Sequence, residues 1–582
     1  MSAIKKLELK IKELIKESGY ELEEFTLVPS SRPDLGDYQI NDAMKLAKIY
    51  HDSPINIANK ISTTLNNYYA FKDVNVANPG FINLSLSDEY LIEFINEMNN
   101  NIESNIDKKE PKKILLDYGG ANVAKALHVG HLRSANIGEA LKRLAKLLGH
   151  EVIGDAHLGD YGRPLGLVLL EIRNRYPDLA FFNEEYNGNY SDIELPITNS
   201  DLEEIYPYAS SKAKEDEVYL EEARKITVKI QNKEKGYYDL WKRVVEISKN
   251  DIKKVYNELN VDFELWEGES DGAEYIPELI SIFEEKNLTE ESQGAIIVDV
   301  KEEGDTSPMP PLLLKNSNGS ASYQTTDLAT ILERKKKFNP DEIWYCVDLR
   351  QRLHFQQVFR AARKAKLVED RVELKHFGFG TMNGPDGKPF KTRDGGVMSL
   401  KNLLEEVKNE ARKRLNYEIV DKDKIDDTIN KIAVATLKYA DFLPYRETDY
   451  IFNPEKFSDV EGKTGPYLLY STIRMKSLLN KGEMYPKENF YTINNDTDRQ
   501  VLLSLLRLPI ILDKAYEVKS LNDIADYLYT LTNKYNKFYA ENKVLQESSE
   551  KQRESWLVLT DVVYKVNSLL LDTLGLNIPE KM

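Results

Sequence analysis

The segment Ala121–His131, ANVAKALHVGH, constrains this chain more than any other. It sets His128-Val-Gly-His131 where a strand should turn into a helix. Upstream, Lys112–Tyr118 (KKILLDY) has the bounded apolar form of a buried strand. Downstream, Ile137, Leu141, Leu144 and Leu148 recur at helical spacing on one face. Gly149 stops that helix, and Glu151–Asp155 (EVIGD) begins another strand. A β-turn-α-β unit with its loop at the carboxyl end of the first strand is where a parallel sheet receives a nucleotide. Free backbone N–H groups at the helix start would attract phosphate oxygens, and the two imidazoles would add donors beside them. The competing reading is a capped helix with two neighbouring histidines. With 7 His among 582 residues, the count argues against coincidence.

A chain of this length corresponds to roughly three to four domains. Hydrophobic residues at 41% and charged residues at 30% suit a globular protein and exclude a disordered one. The single cysteine, Cys346, excludes a disulfide framework and a multi-cysteine zinc site, and fits a reducing compartment. The N-terminal pattern MSAIKKLELKIKELIKE lacks the apolar core of a secretion signal. The most apolar run, Val501–Leu512, is broken by Arg507 and Pro509 and is too short for a bilayer. A cytoplasmic protein without a membrane partner is therefore expected. Net charge of −17 argues at first sight against nucleic acid. On a large protein, however, only the field within a screening length of roughly 8 Å matters, so local basic patches suffice.

Residues 1–110 read as a small α+β module, an amphipathic helix followed by a loop with Pro33 and Gly36, more helix, and Val74–Leu86. Asn99–Lys113 is polar and lysine-rich, as a linker would be. From 111 to 400, strands alternate with helices, which implies a parallel α/β sheet, and 170–250 is an acidic, tyrosine-rich, largely helical insertion. After 401 strand signals nearly vanish. Residues 401–460 read as a helical connection and 461–582 as a helical bundle.

The second chemical feature is Gly378–Leu400, GFGTMNGPDGKPFKTRDGGVMSL. Lys388, Lys391 and Arg393 sit among glycines in what should be a mobile cationic loop, suited to closing over a triphosphate. Alone, such a loop is more often a solvated basic turn.

H-x-G-H early and K-x-x-K-[ST] late, here Lys388-Pro-Phe-Lys391-Thr392, resemble class I aminoacyl-tRNA synthetases, whose second motif is usually Lys-Met-Ser-Lys-Ser. Within that class the spelling is similar to the arginyl-tRNA synthetase family. Ala121–Lys125 (ANVAK), His157-Leu-Gly-Asp-Tyr-Gly162, Gly268-Glu-Ser270, Tyr323-Gln-Thr-Thr-Asp327 and Val347-Asp-Leu-Arg-Gln351 follow in the family's order. So do Lys438-Tyr-Ala-Asp441, Thr448-Asp-Tyr-Ile-Phe452, Glu461-Gly-Lys-Thr-Gly-Pro-Tyr467 and Leu571-Asp-Thr-Leu-Gly575. Gly36-Asp-Tyr-Gln39 and Pro79-Gly-Phe-Ile-Asn83 resemble its additional N-terminal tRNA-binding module. The resemblance covers essentially the whole chain. One departure is Pro164, where the family usually has glutamine.

The resemblance implies a Rossmann-like catalytic domain, a C-terminal all-α anticodon-binding domain, and activation of L-arginine by ATP before transfer to arginine tRNA. It implies Mg²⁺ as activating ion, no zinc, a monomer, and activation that waits for bound tRNA. His128, His131, Lys125 and Lys391 are implied as catalytic, and Ala121, Asn122, Gly130, Lys388 and Thr392 as ATP-binding. For arginine, a planar five-donor fork wants carboxylates in its plane. The resemblance assigns Glu269 and Asp327 to that role, with Tyr323 as a wall. Asn122 and Gln351 are assigned to the α-amino and carboxylate end, with Asp117 nearby. For tRNA, Phe81 and Asn83 are candidates at the elbow. Tyr467, Tyr470, Arg474, Lys476, Tyr527, Phe538 and Tyr539 are candidates at the anticodon, the aromatics for stacking and the cations for phosphate. A lysine-specific relative is the chemically serious rival within enzymes, and a non-catalytic tRNA-binding paralogue the rival outside them. Intact HVGH and Lys391 argue against lost chemistry.

Overall fold

Four short parallel strands carry the loops on which the candidate site is mounted. In a computed structural model describing residues 1–582 apart from 26, 31, 33, 318 and 391–397, they lie in the order Glu373–His376, Glu342–Cys346, Lys113–Tyr118, Glu151–Asp155. Ile114, Leu115, Leu116, Ile343 and Trp344 are buried, as expected of strands packed on both faces. The register sets Asp117 beside Asp155 on one side and Tyr345 on the other. The chain adds Glu151–Asp155 to one side of Lys113–Tyr118, and Glu342–Cys346 and Glu373–His376 to the other. The strand order therefore switches between Lys113–Tyr118 and Glu342–Cys346 and leaves a crevice at their carboxyl ends.

The helix Val129–Leu147 (the signature helix) follows the first of these strands. Ile137, Leu141, Leu144 and Leu148, the face predicted from their spacing, are all buried. Each such side chain contributes about 1.5–3 kcal/mol through the area it removes from water. The helix gives way at Gly149, whose φ of 101° suits glycine alone. Buried Arg133 donates from Nε to Asp441 Oδ1 at 2.7 Å and from Nη1 to the Thr448 carbonyl at 3.2 Å. Asn136 reaches the other Asp441 oxygen at 3.2 Å. These bonds lash the signature helix to the helix Ile425–Phe442, and removing either charge would leave the other buried and unpaired, at about 3–5 kcal/mol.

Elsewhere the chain both follows and departs from its sequence pattern. Helices Asn199–Glu215, Glu217–Gln231 and Lys235–Glu258 make up much of the acidic insertion. A three-stranded antiparallel sheet, Glu290–Ser292, Ala295–Val298 and Leu312–Lys315, interrupts the expected alternation of parallel strands and helices. Tyr450–Ile451 adds a short strand where only helix was expected, pairing in parallel with Met382–Asn383. The N-terminal residues build a four-stranded antiparallel sheet with helices Ala3–Glu17, Ala43–Tyr50, Pro54–Leu65 and Asp88–Asn100. The expected linker Asn99–Lys113 is not free. Asp107 accepts from Ser2 N at 2.7 Å and Ser2 Oγ at 2.6 Å, and Asn105 donates to the Leu505 carbonyl at 3.1 Å. Its polar residues serve as buried hydrogen-bonding groups, a use that composition alone does not reveal.

The C-terminal helices are Gly465–Lys481, Asp496–Leu506, Leu508–Val518, Asn522–Glu541 and Glu550–Thr573. The apolar run Val501–Leu512 spans two of them, which meet at Arg507. Among the described residues, no helix is long and apolar enough to cross a membrane.

Candidate active site

The two histidines of HVGH organise the start of the signature helix themselves. His128 is the N-cap, and its Nδ1 accepts from Gly130 N at 3.0 Å. His131 Nδ1 accepts from His128 N at 3.1 Å. Val129 N donates to the Met398 carbonyl at 3.3 Å and His131 N to the His128 carbonyl at 2.9 Å. The expectation of free backbone N–H groups here is therefore overturned. All three N–H groups of the first turn are engaged, two of them by His128 itself. With both Nδ1 atoms accepting, each ring carries its proton on Nε2 and offers one N–H donor, and the two ring centroids lie 4.0 Å apart. Burial, then Lys125, lowers the His128 pKa, and burial, then His128, pushes His131 down to about 3. The pair is neutral and donates hydrogen bonds without bringing charge. Gly130 is required by the close approach, because a Cβ there would lie 2.8 Å from a His128 ring carbon.

The HLGDYG loop joins this helix start to Glu269. Val123 N donates to the Gly159 carbonyl at 3.1 Å and Gly159 N to the Ala121 carbonyl at 2.9 Å, which fixes Ala121 and Asn122 over the loop. On its other side Leu158 N donates to Glu267 at 2.9 Å, and Glu269 N donates to Leu158 at 3.0 Å. Asp160 then accepts from Ser270 N at 2.9 Å and Ser270 Oγ at 2.6 Å, so it holds the helix Glu269–Ala273 by its first turn. Burial, followed by the neighbouring Asp327 and Asp160 charges and against the pull of His157, raises Glu269 to about 7.

Asp327 comes from the helix Tyr323–Phe338 (the pocket helix), which presents Tyr323, Asp327, Thr330 and Arg334 at spacings of four, three and four. Tyr323 is exposed at the rim. Asp327 Oδ2 accepts from His354 Nε2 at 2.5 Å. Buried Arg334 donates from Nη2 to Asp117 Oδ2 at 2.7 Å and Asp155 Oδ2 at 2.8 Å. Asp117 thus belongs first to a charged floor beneath the pocket. Burial raises its pKa against the pull of Arg334. His157 completes the floor, its Nδ1 3.4 Å from Asp155 Oδ2. Burial works against its cation, but Asp155 and Asp117 outweigh that and push it up to about 9. Asp117, Asp155 and His157 have the spacing of a metal cluster, yet the guanidinium of Arg334 already occupies the two carboxylates. Gln351 is exposed at the start of the helix Arg352–Lys364, its N–H bonded to the Asp348 carbonyl at 3.0 Å. His354, Arg334, Asp155 and Asp160 were missed in the sequence. Arg334 and His354 could have been found from their helical spacing to Asp327 and Gln351.

Lys391, Thr392 and Arg393 lie outside the described residues. The flanks of their segment are fixed, however. Met398 N donates to the Phe390 carbonyl at 3.3 Å, and Leu400 N to the Leu127 carbonyl at 2.8 Å. Both flanks therefore stand beside HVGH. Lys388 occupies a closed turn, with Gly384 N donating to its carbonyl at 2.7 Å, so this part of the expected mobile loop is hydrogen-bonded. The preceding segment is zipped to the TDYIF motif by Thr381 N on Asp449 at 2.6 Å and Tyr450 N on Thr381 at 3.0 Å. Lys125 Nζ rests 4.3 Å from the Tyr206 ring centroid of the insertion. Pro164 falls in the first turn of the helix Arg163–Arg175, where a missing N–H costs nothing.

The proposed tRNA residues separate into surface and core. Phe81 is half-buried, and Asn83 is buried on the neighbouring strand to Gln39, whose Nε2 donates to its Oδ1 at 3.0 Å. Exposed Arg474 lies 5.7 Å from the Tyr470 ring and 5.0 Å from the Tyr539 ring. Tyr467 is tied to Asn533 and accepts from Asn536 at 2.8 Å. Tyr527 and Phe538 are buried, Tyr527 donating to the Ser504 carbonyl at 2.9 Å, so both belong to the bundle core and not to a stacking surface.

Three family profiles match along the chain: "Arginyl tRNA synthetase N terminal domain" over residues 3–86, "tRNA synthetases class I (R), catalytic domain" over 94–454, and "DALR anticodon binding domain" over 468–582. The chain is 42% identical over 584 residues to the arginine–tRNA ligase of Alkaliphilus oremlandii, covering 100% of this chain and 99% of that one. It is 42% identical over 580 residues to the arginine–tRNA ligase of Agathobacter rectalis, covering 97% of each. Its fold is similar to the crystal structure of the arginyl-tRNA synthetase of Plasmodium falciparum, with a TM-score of 0.80, 25% identity and 100% of both chains covered.

Proposed function

The chain belongs to the arginyl-tRNA synthetase family and is a ligase that charges tRNA with arginine, and we propose the following division of labour among its residues. Glu269 and Asp327 receive the guanidinium fork, with Tyr323 closing over it from the rim. A carboxylate pair accepts a planar five-donor group well, and a lysine ammonium would leave acceptors unpaired. Asn122 and Gln351 hold the α-amino and carboxylate end, and Asp117 supports it from the floor. Ala121, Asn122 and Gly130 line the ATP side.

The arginine carboxylate attacks the α-phosphate of ATP, its oxygen forming the new P–O bond as the bond to pyrophosphate breaks. His128 and His131 donate from Nε2 to the α-phosphate oxygens as charge gathers there. Lys125 leaves the Tyr206 ring to join Lys391, Lys388 and Thr392 on the β- and γ-phosphates. Mg²⁺ would be held by the ATP phosphates themselves and would neutralise part of their charge, since Arg334 fills the acidic cluster in the floor. In the second step the 2′-hydroxyl of the terminal adenosine attacks the adenylate carbonyl, and AMP leaves. Residues 1–110 contact the tRNA elbow through Phe81, with buried Asn83 holding Gln39 on the neighbouring strand. Residues 111–400 perform the chemistry, 401–460 connect, and 461–582 hold the anticodon through Tyr467, Arg474 and Tyr539.

The observation that carries this reading is the convergence, at the end of one parallel sheet, of two neutral imidazole donors and two neighbouring carboxylates, Glu269 desolvated and Asp327 held by His354. ATP–pyrophosphate exchange with arginine, and with lysine as control, tests it with and without total tRNA. Exchange is expected with arginine alone and only when tRNA is present. Exchange with lysine would remove the assignment of Glu269 and Asp327. Exchange without tRNA would remove the gating.

A further inference from the structure

Asp327 does not stand alone in the pocket. Its Oδ2 is 2.5 Å from His354 Nε2, across the gap between the pocket helix and the helix Arg352–Lys364. An ionised carboxylate can only accept, so the imidazole donates. The His354 ring is itself held, edge-on to Phe355 at 5.2 Å and 88°. Phe355 in turn stacks on His376 at 4.9 Å, and His376 Nε2 donates to the Val347 carbonyl at 3.1 Å. The chain of contacts runs from a strand of the central sheet to one oxygen of Asp327.

A free aspartate side chain turns about two torsions, and an arginine fork requires its plane in one orientation. A donor fixed to one oxygen removes that freedom while leaving lone pairs for the guanidinium, because a carboxylate offers about four acceptor positions. We propose that His354 is a positioning residue for arginine recognition, which sets the plane of the Asp327 carboxylate before the amino acid arrives. This inference rests on the assignment of Asp327 to the guanidinium. His354 is hydrogen-bonded to Asp327 and is given no part in holding ATP or in the chemistry. Its effect falls on arginine affinity and on the preference for a planar fork over an ammonium, and not on the chemical step.

Two substitutions separate the donor from the ring. His354→Phe keeps a ring and loses the N–H. His354→Gln loses the ring and keeps a donor at similar reach. In tRNA-supported pyrophosphate exchange, His354→Phe is expected to raise the arginine KM about tenfold, the scale of one charge-assisted hydrogen bond. The kcat and the ATP KM should stay within about threefold. His354→Gln should recover most of the arginine KM. On an Asp327→Ala background, His354→Phe should add nothing further. Should His354→Phe fail to fold, His354→Leu takes its place. A tolerated Phe with a damaging Gln would reduce His354 to packing and overturn the proposal. An equal effect of His354→Phe with and without Asp327 would also overturn it, since the histidine would then act elsewhere. If Asp327→Ala by itself leaves the arginine KM unchanged, the assignment of Asp327 falls, and the role of His354 falls with it.

Discussion

The two ends of the cleft bind charged partners by opposite means. At the phosphate end, burial has driven the charge off both histidines, and His131 would be protonated only near pH 3. The anion there meets N–H donors fixed by their own helix start. At the arginine end, burial raises Glu269 to about 7 while a charged floor of Arg334, Asp155 and His157 lies beneath. The cation there meets charges that the protein holds at some cost. A neutral donor can be packed tightly into a helix cap and still act on charge that appears only in the transition state. A charged acceptor must keep lone pairs free until its ligand arrives, which is why the arginine end is strained electrostatically at Glu269 and the phosphate end is not.

The contrast can be broken first by kinetics. His128→Ala removes one Nε2 donor and the acceptor for Gly130 N. It is expected to lower kcat for pyrophosphate exchange by about 10²–10³, the usual scale for one such donor, with the arginine KM within about threefold. A large rise in arginine KM would show that the two ends are not separable.

The smaller expected effect is on stability. The folded protein binds a proton at Glu269 more tightly than the unfolded chain, whose carboxylate titrates near 4.5. Ionising it in the fold therefore costs stability that grows as pH rises from that ordinary range through about 7. Glu269→Gln should raise the thermal unfolding midpoint of the arginine-free protein at pH 8, with the gain shrinking toward pH 5. A midpoint lowered at pH 8 would mean that the ionised carboxylate is stabilising where it stands.

The parts of this molecule that repeat along the chain were legible in its sequence. Strand Lys113–Tyr118, the signature helix with its four-residue apolar face, Gly149 and strand Glu151–Asp155 all lie where periodicity and turn chemistry set them. Local spacing is enough there because each residue's role depends on neighbours a few positions away. What the sequence hid depends on neighbours far along the chain. The bond between Asp327 and His354 joins two helices, and Arg334 joins two strands through Asp117 and Asp155. The helix-start histidines were visible, but their consumption of the helix's own N–H groups depended on ring orientation, which the letters HVGH do not carry. Tyr527 and Phe538 show the same limit in reverse, since an aromatic at helical spacing packs inward unless tertiary contacts leave it outside.

The most direct measurement is the pH dependence of the arginine KM and of kcat in tRNA-supported exchange, between pH 6 and pH 8. Binding a guanidinium favours ionised Glu269, so arginine affinity should improve as the proton leaves. The KM is expected to fall about tenfold across this range and to level off above it, while kcat stays flat, burial having lowered the His128 pKa and pushed His131 down to about 3. A flat arginine KM beside a kcat that follows an ordinary imidazole pKa near 6.5 would place the titrating charge at the phosphate end and contradict the contrast.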